Sequence, residues 1–148
     1  PLKTDHVLFI ASGAFMDVSP SDLISELQGR LPIQVKLDKL SLEDLENILT
    51  KPKYSLIKQY QALIKVDAVK LQFTDCGIKS IALAAYNANE NLENIGARRL
   101  NNVMESILRE ILFLAPYESQ KQIKIDKKYV ENHLNKTMND FNWRDWVI

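Results

Sequence analysis

Apolar residues recur at helical spacing through most of the second half of the chain. Leu100, Val103, Met104, Ile107, Leu108, Ile111 and Leu112 form the longest such stripe and predict a long amphipathic helix. Ser41-Leu42-Glu43-Asp44 resembles a capping box, with aspartate in the reciprocal position, and opens a helix to about Leu49. Lys51-Pro52 interrupts the pattern, and Ile57, Tyr60, Leu63 and Ile64 mark a second helix. Val69, Leu71 and Phe73 alternate with Lys70 and Gln72 as a short strand; a last strand around Ile123 and Ile125 is its candidate partner. Thr74 or Asp75 caps a third helix bearing Ile78, Ile81, Ala82 and Ala85, and Asp126 starts a final one with Val130 and Leu134. The pattern predicts a small, mainly helical α+β unit from residue 40 to residue 148.

Residues 1–39 read differently. Val7-Leu8-Phe9-Ile10-Ala11 is an unbroken apolar run, the signature of a strand buried on both faces as in a parallel sheet. It ends in Ser12-Gly13, and the carboxyl end of such a strand is where open α/β sheets bind ligands. Ser19 and Pro20 suit a helix start, Leu23, Ile24 and Leu27 give it an apolar face, and Gly29 suits a left-handed stop. Leu31-Pro32 prevents the helix from resuming, and Ile33, Val35 and Leu37 alternate with polar residues as a half-buried strand. Arg30 is then held on a stiff corner between helix and strand, suited to presenting a guanidinium to a phosphate on a neighbouring molecule. The ordinary alternative is an arginine satisfying a helix C-terminus.

Arg98 and Arg99 pose a sharper question. Asn94 is a candidate cap, which places both arginines in or near the first turn of the long helix. The exposed amides there already carry about half a positive charge, so a cation is disfavoured by roughly 0.3–1 kcal/mol unless an anion binds. The plainer alternative is that both side chains turn to solvent or pair with Glu90 or Glu93.

Nineteen basic and nineteen acidic residues cancel, which gives no global field to attract nucleic acid or an anionic membrane. No apolar run approaches the roughly 20 residues that span a bilayer. The single Cys76 cannot form an internal disulfide, in keeping with a reduced cytoplasmic protein. His6 and His133 have no metal-ligand spacing around them and read as structural. No Gly-x-x-x-x-Gly-Lys-[Ser/Thr] phosphate loop occurs among the four glycines, and no apolar strand ends in paired Asp-Glu. The chain is therefore expected to have no ATPase activity of its own.

Three segments carry a resemblance. Thr4–Phe15, Pro20–Pro32 and Glu93–Leu100, in order and at compatible spacing, resemble the carboxyl-terminal part of HslU (ClpY), the AAA+ unfoldase ATPase of the HslUV protease. The resemblance implies that residues 1–39 are the end of an AAA+ α/β core and residues 40–148 its lid domain. It implies that Arg30 is an arginine finger reaching ATP on a neighbouring subunit and that Arg98 is a sensor-2 residue contacting ATP phosphates in its own subunit. Ser12 falls in the sensor-1 region, which positions the attacking water; Arg99 reads as structural. The implied parent is a hexameric ring that uses ATP and Mg2+ to unfold proteins and feed them to the HslV threonine peptidase. ATP and Mg2+ are not expected to bind tightly to this fragment.

The chain ends in Phe141-Asn142-Trp143-Arg144-Asp145-Trp146-Val147-Ile148. So much apolar surface at a terminus either folds back or binds a partner. The resemblance implies peptidase docking by residues 139–148, with Trp143, Trp146, Val147 and Ile148 as contacts; Trp146-Val147-Ile148 keeps the apolar character of the family's aromatic-Ile-Leu ending but departs from it in identity, and Trp143 is a further departure. Three other readings remain at this stage: a freestanding, non-hydrolysing regulator of the peptidase, a sibling ClpX-type unfoldase, and an anion- or nucleic-acid-binding module built on Arg98 and Arg99.

Overall fold

The computed structural model describes residues 3–15, 17–115 and 122–140, of which 136–140 are described by backbone alone. The chain divides into two units after Asp38.

In the first unit Ser19 opens a short 3₁₀ turn, Pro20–Asp22, through a reciprocal capping box: its hydroxyl accepts from Ser21 N–H, and its own N–H donates to Asp22 at 2.7 Å. Leu23 and Ile24 are extended, and helix α1 spans only Ser25–Arg30. Gly29 is not the left-handed stop the sequence suggests; it is helical, and Arg30 is the last helical residue. The stop is Leu31, which adopts φ −120° and ψ 62° because the following Pro32 excludes it from helical geometry. The apolar face of this helix is largely uncovered, with Ile24 and Leu27 both exposed.

Val7–Ala11 and Ile33–Leu37, read from sequence as strands, form no ladder among the described residues. Leu8, Ile10, Ile33 and Leu37 are each more than four-fifths exposed. The apolar run and the alternation describe surfaces that would be buried in a sheet, but a strand exists only when a neighbour supplies its hydrogen bonds. Ser12 accordingly lies on an exposed, irregular stretch rather than at the end of a strand.

The second unit follows its sequence pattern closely. Ser41 and Asp44 make the expected capping box at the start of α2, Leu42–Thr50, whose inner face is Leu45 and Leu49. Helix α3 spans Leu56–Lys65 and buries Ile57 and Ile64, while Leu63, expected inside, faces outward. Ala68, at φ +59°, then turns the chain into strand β1, Lys70–Phe73. Thr74 caps helix α4, Asp75–Asn91, by accepting from Gly77 N–H at 3.1 Å. Helix α5 spans Arg98–Leu114, strand β2 Gln122–Ile125, and helix α6 Lys127–Asp140. Asp126 serves as the expected start of α6 by accepting from Tyr129 N–H at 2.9 Å.

β1 and β2 pair in parallel, Lys70 with Gln122 through Phe73 with Ile125. A parallel pair needs a long crossover, which α4 and α5 provide. Leu71 and Ile125 are the buried positions of this ladder, and Gln122 Nε2 donates to Gln72 Oε1 on the outer side at 2.9 Å. Helix α4 is the centre of the unit, packed against α2, α5 and α6. Its small Ala82 and Ala85, both fully buried, permit that close approach. The architecture is thus α+β, mainly helical, with one short strand pair.

Tyr129 ties α6 to α5. Its hydroxyl donates to the Ile107 carbonyl at 3.3 Å, and its ring stacks on His133. Burial, with the nearby Glu110 carboxylate adding, pushes the phenol up from 10.0 to about 12. Folding therefore favours the neutral phenol, so its contribution is complete below pH 10.0 and is lost as pH rises through about 12. Alkaline denaturation followed by circular dichroism is expected to show stability falling across that window. Tyr129→Phe is expected to flatten the fall; an unchanged slope would show that Tyr129 does not govern it.

Candidate functional site

The loop between α4 and α5 is built around a buried amide. Asn89, 7% exposed, lies on the same face of α4 as Ala82 and Ala85. Its Nδ2 donates to the Gly96 carbonyl at 3.0 Å, and its Oδ1 accepts from Ile95 N–H at 3.3 Å and from Arg99 Nε at 3.3 Å. Arg99 also donates to the Glu93 carbonyl at 2.6 Å. Asn94 does not cap α5; its Oδ1 accepts from Gly96 N–H at 2.9 Å in a local turn, and Gly96 takes φ +60°. That left-handed residue is where glycine is required, since a side chain there is strained.

The consequence is a helix N-terminus without a side-chain cap. The residue before the helix, Ala97, has no side-chain acceptor for the first turn, and backbone carbonyls serve instead: Arg99 N–H donates to Gly96 at 3.2 Å and Leu100 N–H to Ala97 at 3.0 Å. The two arginines separate cleanly in this setting. Arg99 is a structural brace, half-buried and committed to Asn89 and Glu93. Arg98 is exposed and has no hydrogen bond or ion pair with any described residue. Neither arginine pairs with a Glu side chain, so the ion-pair alternative does not hold for the described residues.

Arg98 lines a concavity of about 310 Å³ together with residues from three helices and the turn before α3. Ile48, Tyr54, Leu56, Ala97 and Leu100 contribute apolar wall, and Ser55, Gln59 and Asn101 contribute polar groups. No carboxylate of the described residues lines it. A guanidinium without a partner among the described residues, the positive end of a helix dipole and a lining with no described carboxylate favour an anionic group with an apolar portion.

Arg30 and Ser12 belong to the first unit and are both exposed. Arg30, at the end of α1, has no hydrogen bond or ion pair with a described residue, and it is placed to reach outward. Trp143, Trp146, Val147 and Ile148 lie outside the described residues. Among the described residues no group of three or more His, Cys, Asp or Glu side chains is arranged to hold a metal ion, and no helix is long and apolar enough to cross a membrane.

The reasoning from sequence missed Asn89 and Ser55. Asn89 continues the spacing of Ala82 and Ala85, and a polar residue at a core-facing position is a signal that its amide is used. Ser55 directly precedes the apolar pattern of α3, the ordinary place for a cap.

The second unit thus defines a small, mainly helical α+β domain that offers, at a helix N-terminus without a side-chain cap, an arginine with no partner among the described residues. No protein-family model matches the chain. The chain is 47% identical over 147 residues, 99% of its length, to the ATP-dependent protease ATPase subunit HslU of Petrotoga mobilis. It spans 31% of that protein. The likeness to HslU drawn from Thr4–Phe15, Pro20–Pro32 and Glu93–Leu100 therefore holds along essentially the whole chain.

Proposed function

We propose that this sequence supplies the arginine finger, sensor 2, lid and docking tail of an HslU-type AAA+ ATPase, a cytoplasmic hexameric unfoldase that feeds proteins to an HslV-type threonine peptidase. The relative's name, an ATP-dependent protease ATPase subunit, supports the class. The observation that carries the reading is Arg98: alone of the arginine pair it has no partner among the described residues, and it stands at an N-terminus without a side-chain cap beside a concavity lined by no described carboxylate. A phosphate there receives a charge-assisted hydrogen bond from the guanidinium and favourable dipoles from the helix.

ATP and Mg2+ enter with the parent protein, whose phosphate loop and magnesium-binding carboxylates this sequence lacks. Within the parent, Arg98 holds phosphate oxygens and links nucleotide state to the position of the lid. Arg30 stabilises negative charge as the terminal phosphoryl group is transferred to water, and Ser12 helps to position that water. Phosphoryl transfer rests mainly on such positioning and charge stabilisation.

The two adjacent arginines give an internal control. In the parent protein, Arg98→Ala is expected to leave the melting temperature unchanged and to lower ATP hydrolysis at least tenfold, the loss of one charge-assisted contact worth about 1.5–3 kcal/mol. Arg99→Ala is expected to lower the melting temperature, because it removes the brace on Asn89. Equal activity in wild type and Arg98→Ala would remove sensor 2 from the account.

Peptidase docking is tested separately. A synthetic peptide of Met138–Ile148 is expected to stimulate the cognate peptidase; no stimulation at saturating peptide would remove the docking role. Stimulation by the purified chain without nucleotide would favour the freestanding-regulator reading instead.

A further inference from the structure

Three helices of the second unit start with a working side-chain cap: Ser41 for α2, Thr74 for α4 and Asp126 for α6. Ser55 stands at the same position for α3, with the extended backbone of a cap at φ −62° and ψ 153°, yet its hydroxyl caps nothing. Its backbone is fully engaged: the N–H donates to the Pro52 carbonyl at 3.1 Å, and the carbonyl accepts from Gln59 N–H at 3.0 Å. The side chain is the exception. Ser55 is 2% exposed, and Oγ has no hydrogen-bond partner among the described residues. A buried hydroxyl left unpartnered costs stability, and in a native protein such a group calls for an explanation, a bound water, ion or ligand among them.

Ser55 lines the same concavity as Arg98. The N-termini of α3 and α5, helices of 10 and 17 residues, therefore both border it, and neither has a side-chain cap. Two positive helix ends and a guanidinium without a partner among the described residues border a space with no described carboxylate in its lining.

We propose that Ser55 and the first turn of α3 form a second arm of the anion site, holding together with Arg98 the phosphate group that Arg98 attracts. Ser55 Oγ–H donates to a phosphoryl oxygen, and the α3 amides supply the dipole. This rests on the nucleotide-phosphate reading of Arg98 and adds to it a positioning residue from a different helix. The second arm fixes the anion relative to both α3 and α5, so nucleotide binding would clamp these two helices together.

The test uses the full 148-residue chain, labelled with 15N and titrated with sodium pyrophosphate at constant ionic strength. The amides of Leu56–Lys58 and of Arg98–Leu100 are expected to shift along one binding curve. Ser55→Ala is expected to raise the pyrophosphate Kd roughly fivefold or more, the worth of one hydrogen bond. Its melting temperature without pyrophosphate is expected to stay level or rise, because an unpartnered hydroxyl has been removed. Ser55→Ala with wild-type Kd overturns the proposal, as does a fall in melting temperature with Kd unchanged, which identifies the hydroxyl as an ordinary cap. Shifts confined to Arg98–Leu100 also overturn it and leave the Arg98 reading standing. No shift at either helix removes both.

Discussion

Replacing Arg30 with alanine in the parent ATPase is expected to lower ATP hydrolysis by about 10³–10⁵ while nucleotide affinity changes little. Arg30 ends α1 on an exposed corner fixed by Leu31-Pro32, and no described residue neutralises it. A cation positioned this way contributes when negative charge redistributes toward the leaving group, more than when ATP merely binds. Binding and turnover should therefore separate. Fluorescent-nucleotide titration and steady-state hydrolysis on the same preparation check this. Arg30→Lys is expected to recover only part of the rate, because an ammonium cannot reproduce the planar, two-pronged donation of a guanidinium. A variant with full turnover would show that Arg30 is an ordinary helix-end arginine.

The largest expected effect on stability is at Gly77. It is buried in the first turn of α4, where a Cβ would be driven against the Ile125 carbonyl oxygen and would lie only 3.3 Å from Asp126 Cα. That carbonyl is also where Thr74 anchors, its N–H at 3.1 Å and its hydroxyl at 3.3 Å. The obstacle is backbone at the end of β2, so no flexible side chain can swing aside. Gly77→Ala is expected to cost about 3 kcal/mol, the upper end for overpacking, and to lower the melting temperature by roughly 12 °C. Thr74 and Gly77 thus act together: one binds the end of β2 and the other leaves room for it. A melting temperature within two or so degrees of wild type, by calorimetry, would mean the junction relaxes cheaply.

These expectations rest on parts of the chain that differ in how openly the sequence displays them. The second unit was legible because its signals are local. The Ser41 and Asp44 box, the Thr74 cap, the stripe from Leu100 to Ile111 and the alternation at Leu71 and Phe73 each determine structure within a few residues. Even the pairing of β1 with β2 was foreseeable, although its parallel sense required the α4–α5 crossover to be counted. The sequence misled where one residue had competing roles. Gly29 suits a helix stop, but Pro32 acts on Leu31 and ends the helix two residues later. Asn94 suits a cap, but its side chain reached Gly96 first, leaving Ala97 at the helix entry. The apolar runs at Val7–Ala11 and Ile33–Leu37 state which surfaces need cover, and local sequence cannot state what covers them.

The candidate site was half legible. The charge of Arg98 against its helix dipole is a sequence-level anomaly, and the structure gives it shape: among the described residues Arg99 has partners and Arg98 has none. Ser55 and the concavity are tertiary facts, since they depend on α3 and α5 coming together. Their partnership has no counterpart in sequence spacing.

The central claim is that this sequence works as part of an ATP-driven machine and does not turn over ATP alone. Magnesium-dependent ATP hydrolysis, measured side by side on the purified 148-residue chain and on the endogenous protein captured with an antibody to Leu40–Lys136, tests it most directly. The account predicts turnover by the captured protein and none by the chain. Turnover that scales with purified chain and falls in Arg30→Ala or Arg98→Ala, or a captured protein without any, would contradict it.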